Sequence, residues 1–220
     1  MKRAEAQARI AHATLYGIVD FGYIAPADVE TTARALISGG VEILQLRAKG
    51  APLEAVATAA RAILPLCQAA GIPFILNDYP ELARSLGADG VHIGQDDGSI
   101  SATREILGPE LLIGRSTHSL PQAQQALADG ADYIGFGPLF PTPTKAGRPA
   151  IGLGEISKME ALVGAQIPAF CIGGIKPANL RGILTAGARR AVIVSHLLTA
   201  ADPAAEAKNI RKIFSENPVP

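Results

Sequence analysis

Short β-branched apolar runs recur along the chain and alternate with longer Ala/Leu-rich stretches at helical spacing. The runs predict strands over Thr14–Val19, Val41–Leu46, Phe74–Asn77, Gly90–Ile93, Leu112–Gly114, Tyr133–Gly135, Ala169–Ile172 and Ala191–Val194. They are continuous rather than alternating, the pattern of strands buried on both faces. Between them, Leu53–Ala70, Pro121–Ala128, Pro177–Ala186 and Pro203–Phe214 predict helices. Pro121, Pro177 and Pro203 sit near helix starts, where a missing N–H costs nothing.

One phrase returns four times: Leu36-Ile-Ser-Gly-Gly-Val-Glu-Ile-Leu, Leu86-Gly-Ala-Asp-Gly-Val-His-Ile, Leu127-Ala-Asp-Gly-Ala-Asp-Tyr-Ile and Leu184-Thr-Ala-Gly-Ala-Arg-Arg-Ala-Val-Ile. Each copy reads as a helix end, a Gly suited to positive φ, and a new strand. The spacing of about 43 to 57 residues accommodates two strand–helix units per copy, hence eight strands. No linker divides the chain. The expectation is a single-domain (β/α)8 barrel over residues 1–220, with a short helical extension over 1–12 before the first strand. A doubly wound open sheet is the alternative.

Composition narrows the function classes. At 220 residues with 48% hydrophobic and 5% aromatic content and no Trp, the core is built from Ala, Val, Ile and Leu. Twenty basic and 20 acidic residues cancel, which argues against a nucleic-acid surface or a polybasic membrane patch but leaves room for a local anion pocket. No run reaches the ~18 apolar residues of a membrane span, and residues 1–7 lead into no signal-peptide core. Cys67 and Cys171 lie in apolar runs without zinc spacing and read as buried thiols of a reducing, cytoplasmic setting. Nothing in the pattern specifies an oligomeric state.

Polar residues cluster where the predicted strands end, the face on which barrels of this class carry chemistry. Successive ends read Gln45-Leu-Arg47-Ala-Lys49, Asn77-Asp78, Gln95-Asp96-Asp97, Arg115-Ser116-Thr-His118, Thr142-Pro-Thr144-Lys145, Gly173-Gly174 and Ser195-His196. The strand entrances carry mainly Gly, Ala, Pro and stray charges. Gly173-Gly174, with Ser195 opening a helix after strand eight, suits phosphate; a tight turn is the other use of two glycines. Asp78 and Asp97 close consecutive strands and suit a hard cation such as Mg²⁺, with Asp96 a competing ligand or a turn cap. Arg47, Lys49 and Lys145 add cations to the same rim. These residues together point to a barrel enzyme with two phosphate-bearing ligands, one held through Mg²⁺.

At these residues, from about Tyr16 to Leu198, the chain resembles the thiamine phosphate synthase family. Gln45–Lys49, Asn77-Asp78, Gly90–Asp97, Ser116–His118, Gly137–Lys145, Ile172–Ile175 and Val194-Ser195 match its motifs in order. The resemblance implies condensation of a hydroxymethylpyrimidine diphosphate with a hydroxyethylthiazole phosphate, or its carboxylated form, to thiamine phosphate and pyrophosphate. It implies that Gln45, Arg47, Lys49, Asn77, Ser116 and Lys145 bind the pyrimidine diphosphate. It assigns Mg²⁺ to Asp78 and Asp97, and the thiazole phosphate to Thr142, Thr144, Gly174, Val194 and Ser195. Lys145, Lys49, Arg47 and Ser116 are the expected catalytic residues. Two rivals remain: a thiazole tautomerase using His118 as acid/base, and a non-catalytic phosphate-binding barrel. His92, His118 and His196 are otherwise expected to order loops, and Arg148 has no assigned partner.

Overall fold

The four repeated phrases each fold into the same helix stop. In a computed structural model describing residues 1–142 and 149–217, Gly40, Gly87, Gly130 and Gly187 have φ of 92°, 73°, 87° and 104°. After each glycine the next N–H reaches back five residues: Val41 to Leu36, Ala88 to Ala83, Ala131 to Ala126 and Ala188 to Ile183. That 6→1 bond is the Schellman stop, which ends a helix and turns the chain into a strand. A side chain at these φ values would meet its own carbonyl, so glycine is required.

The elements run α1 (Arg3–His12), β1 (Leu15–Asp20), a 3₁₀ turn (Pro26–Asp28), α2 (Val29–Ser38), β2 (Ile43–Arg47), α3 (Leu53–Ala70), β3 (Phe74–Asn77), α4 (Pro80–Leu86), β4 (Gly90–Ile93) and α5 (Ile100–Leu107). They continue β5 (Leu112–Thr117), α6 (Leu120–Ala128), β6 (Tyr133–Phe136), α7 (Ile156–Met159) with a π-helical turn (Glu160–Gly164), β7 (Ala169–Ile172), α8 (Pro177–Thr185), β8 (Ala191–Ile193), α9 (Ser195–Leu198) and α10 (Pro203–Glu216). All eight strands are parallel and close in chain order, β1 pairing with β8 through Leu15–Ala191, Tyr16–Val192 and Gly17–Ile193. The open sheet is thereby excluded. Among the described residues no helix is long and apolar enough to cross a membrane.

The strands sit where expected, with one difference that bears on the site. β5 continues to Thr117 because Arg115, Ser116 and Thr117 pair with Ile134, Gly135 and Phe136 of β6. Ser116 is therefore held on a strand rather than on a loop. Side-chain caps start α5, α6 and α10, where Ser99, Ser119 and Asp202 accept the N–H of Ala102, Gln122 and Ala205. Each is worth about 1 kcal/mol.

The charges at the strand entrances are not stray. Two residues after the repeated glycine, Glu42, Asp89 and Asp132 each cap the neighbouring strand. Glu42 accepts the N–H of Thr14 and Leu15, Asp89 that of Phe74, and Asp132 that of Ile113. Each also meets a cation: Arg211 on Glu42, the N-terminal ammonium on Asp89, and Arg3 and Arg104 on Asp132. The fourth copy has Arg189 there, and Glu160 accepts its N–H instead. Helix α1 closes this end, burying Ala6 and Ile10. Cys67 and Cys171 are buried free thiols, and burial pushes the Cys67 thiol up to about 12.

Candidate active site

At the opposite end, β1 to β4 deliver a charged half-rim. Arg47 ends β2 and its guanidinium donates to Asp20 at 2.8 Å, at the end of the adjoining β1. Asp20 is 1% exposed and also accepts the N–H of Gly22. Arg47 is thus a positioned fork rather than a loose rim charge. Asp20 escaped the sequence reading, although it follows an apolar run just as Arg47 and Asn77 do.

Asp78 and Asp97 come together around one cation, with Lys49 Nζ 3.9 Å from Asp78 and 3.8 Å from Asp97. The chain reaches this geometry through strained backbone: Asp78 and Tyr79 have φ of 60° and 54°, a left-handed pair between β3 and the first turn of α4 at Pro80. Such conformations are costly for non-glycine residues and persist where the surroundings over-determine them. Asp97 is aimed by the Gly94 N–H at 2.8 Å. Burial pushes the Asp78 carboxyl up to about 6; the Asp97 charge adds to the rise, while Lys49 and Arg47 oppose it. Asp78 Oδ1 is buried and accepts no hydrogen bond. A buried carboxylate oxygen without a donor, beside a second carboxylate, fits a hard cation, and Mg²⁺ is commonly held by one or two carboxylates plus substrate phosphate. No cluster of three or more His, Cys, Asp or Glu able to hold a metal occurs among the described residues.

β5 to β8 build the other half-rim largely from backbone. Gly173 and Gly174 have φ of 99° and 65°. A Cβ on Gly174 would lie 2.7 Å from Phe140 Cβ and 2.9 Å from the Pro141 carbonyl. Glycine there is demanded by the turn and by the approach of the preceding loop, whatever the site binds. That loop is pinned by Leu139 and Phe140 N–H groups donating to Ile172 and Gly173 carbonyls. His118 Nδ1 bonds the Gly137 carbonyl, and its N–H donates to Gln122. This is the loop-ordering part expected of it. His196 instead pairs with Glu206.

Two cavities open side by side in this mouth. Gln45, Arg47, Asn77 and Ser116 line one; Thr142, Gly174, Val194 and Ser195 line the other. Ser116, Gly135, Ile172, Val192 and Val194 belong to both walls. Thr144, Lys145 and Arg148 fall outside the described residues. Tyr16, His92 and Tyr133, which the sequence reading did not place in the site, line the first cavity. Their only sequence signal is polar atoms inside otherwise apolar strands.

Comparison with known proteins identifies the family. The family model described as thiamine monophosphate synthase matches residues 15–197. The chain is 44% identical to a thiamine-phosphate synthase of Thermus thermophilus, over 87% of this chain and 91% of that protein. It is 42% identical to one of Mycobacterium bovis, over 95% and 98%. It is 41% identical to one of Gloeobacter violaceus, of whose length it spans 57%. A solved thiamine phosphate pyrophosphorylase from Pyrococcus furiosus superposes with a TM-score of 0.85 at 32% identity, over 96% of this chain and 99% of that one. A family match running from β1 to α9, with relatives this similar across most of its length, decides membership: the chain belongs to the thiamine monophosphate synthase family.

Proposed function

We propose that the barrel joins a pyrimidine bearing a diphosphate to a thiazole bearing a phosphate, giving thiamine phosphate and pyrophosphate. The observation that carries this reading is the pair of cavities sharing one wall. One is lined by Gln45, Arg47, Asn77 and Ser116, with Asp78 next in the chain after Asn77, the other by glycines and a serine. The reading assigns Gln45, Arg47, Lys49, Asn77, Ser116 and Lys145 to the pyrimidine diphosphate. Thr142, Thr144, Gly174, Val194 and Ser195 take the thiazole phosphate. Asp78 and Asp97 hold Mg²⁺. The free buried thiols suit the cytoplasm, where we place the protein.

The chemistry needs little from the protein beyond placement and charge. The bond from the pyrimidine methylene to oxygen breaks, and its electron pair leaves with pyrophosphate. The electron-rich aminopyrimidine carries the positive charge, and the neutral thiazole nitrogen supplies the new C–N bond with no proton to remove. Arg47, steered by Asp20, and Lys49 neutralise the departing diphosphate, and so does Lys145. Asp78 and Asp97 would hold Mg²⁺, which when bound would withdraw charge from the leaving group. Packing the two cavities against one wall makes the meeting of the rings effectively unimolecular.

Product analysis tests the reading. Thiamine phosphate and pyrophosphate should form only with both substrates and a divalent cation, and EDTA should stop the reaction. Conversion of a thiazole substrate alone would favour a tautomerase. Binding of thiazole phosphate without turnover would favour a non-catalytic barrel.

A further inference from the structure

The loop Gly94–Gly98, which carries Asp97, is fastened both from within and from the neighbouring strand. Asp97 Oδ2 accepts the Gly94 N–H at 2.8 Å, and the Asp97 N–H donates to the Gly94 carbonyl at 3.3 Å. Two further ties come from β5. Arg115 Nη1 donates to the Gly98 carbonyl at 2.7 Å, and its Nη2 donates to the Gln95 carbonyl at 3.3 Å. Gln95 Nε2 in turn donates to the Ser116 carbonyl at 2.5 Å.

We propose that Arg115 is a positioning residue: its fork holds the carbonyls on either side of Asp96-Asp97 and so aims the Asp97 carboxylate at the cation site. That the aim is toward a cation rests on the proposed function; that Arg115 clamps the loop does not.

Strand geometry puts Arg115 where it can do this. Successive side chains point to opposite faces of a strand. Ser116 lines both cavities, so Arg115 points away from them and belongs to neither wall. Its backbone is in register with Ile93, the last residue of β4, from which the loop departs. A guanidinium presents its N–H groups in a rigid planar fork, so bonding two carbonyls at once sets their separation and direction together. Gly98, at φ 100°, completes the bend between them.

Gly94 serves the same end. A Cβ there would lie 2.6 Å from Asp97 Oδ2, the oxygen that closes the loop. With Oδ2 on the backbone, Oδ1 is presented to Lys49 at 3.8 Å, and Lys49 reaches Asp78 at 3.9 Å. Removing the clamp and removing a charge have opposite signs. A cation near the site repels Mg²⁺, so loss of charge alone would tighten metal binding, whereas loss of the clamp weakens it.

The test measures Mg²⁺ binding by calorimetry on the full chain with inorganic pyrophosphate present, and amide hydrogen exchange on the metal-free protein. The variants are Arg115→Ala, Arg115→Lys and Gln95→Ala. Arg115→Ala should weaken Mg²⁺ about ten- to a hundredfold and leave thiazole phosphate affinity within about twofold. Exchange at the Gly94 and Asp97 amides should quicken. Arg115→Lys, which keeps the charge but not the fork, should recover only part of the loss, and Gln95→Ala should weaken Mg²⁺ by a smaller factor. Unchanged or tighter Mg²⁺ binding in Arg115→Ala overturns the proposal, as does unchanged exchange, an equal loss for thiazole phosphate, or an Arg115→Lys variant equal to wild type. If Arg115→Ala does not fold, the other two variants decide, and normal metal affinity in both overturns the proposal. A wild type that binds no Mg²⁺ overturns the aim toward a cation along with the proposed metal site, while the exchange rates still decide whether Arg115 holds the loop.

Discussion

The two mouths of this barrel carry carboxylates in similar number and use them in opposite ways. At the entrances, Asp89 and Asp132 have side chains only 4% exposed, and each combines a backbone N–H with at least one cation. At the exits, Asp78 and Asp97 are 20% and 28% exposed and face each other across a loosely held lysine. The first arrangement gives Asp89 and Asp132 their partners within the fold, while Glu160, which serves the fourth copy, keeps one buried oxygen without a partner and a pKa raised by burial. The second leaves a buried oxygen without a donor and raises a carboxyl pKa, an arrangement that stores electrostatic cost for a ligand to relieve. An unpartnered oxygen occurs at both ends; what Asp78 and Asp97 add to it is partial exposure and a second carboxylate alongside, against the 6% exposure of Glu160.

The comparison can be broken first at the cations. Lys145→Ala should lower turnover about a hundred- to a thousandfold, the worth of one transition-state donor, with the melting temperature nearly unchanged. Steady-state rates and a thermal melt on the same sample check this. An unaffected rate would remove Lys145 from the leaving-group cradle.

A smaller effect separates the two halves of the exit rim. Ser195→Ala should weaken the thiazole phosphate about ten- to a hundredfold and the pyrimidine diphosphate hardly at all, read by calorimetry with each ligand. Gly174 is a poor probe, because any side chain there also strikes Phe140 and Pro141. Equal losses for both ligands would merge the two cavities into one site. His118→Ala should cost only a few-fold, since its ring orders the Gly137 loop and no proton transfer limits the step. A His118 variant more impaired than the Lys145 variant would reverse the assignment toward a tautomerase.

A titration sharpens the contrast most finely. A carboxyl whose folded pKa is about 6 holds its proton to higher pH than the unfolded chain does. Its contribution to stability is therefore neutral below about pH 4, becomes a growing cost between about pH 4 and 6, and is a constant cost above that. Asp97→Asn should lower the Asp78 pKa in the metal-free protein by removing a like charge, although burial, the larger cause, remains. NMR of the Asp78 carboxyl checks the shift. Protons and Mg²⁺ should compete for this carboxylate, so metal affinity should fall below about pH 6.

Much of this was readable from the chain, for identifiable reasons. The four glycine phrases encode a local hydrogen-bond motif, so they announce the helix stops and, by their spacing, eight strands. The exit residues follow apolar runs directly, so strand direction places Gln45, Arg47, Asn77 and Asp78 on one rim. What the sequence hid depends on pairing between strands. Asp20 is explained only by Arg47 on the neighbouring strand, and Tyr16, Tyr133 and His92 only by a path across the barrel. The entrance acids stand at a fixed place in three copies of the phrase, yet their task appears only when Phe74 and Ile113 arrive beside them. β5 ends later than its apolar run because backbone pairing with β6 outlasts the hydrophobic pattern.

The most direct measurement takes one acid from each mouth and reads melting temperature and turnover together. Asp132→Ala leaves Arg3, Arg104 and the Ile113 N–H without their common partner. It should cost about 3–5 kcal/mol of stability, a drop on the order of 10 °C, with near-normal turnover in the fraction that stays folded. Asp97→Ala should keep its melting temperature within a few degrees and lose almost all turnover, together with Mg²⁺-dependent diphosphate binding. An Asp97 variant that still turns over normally, or an Asp132 variant that melts normally but is inactive, would contradict the division of labour between the two mouths.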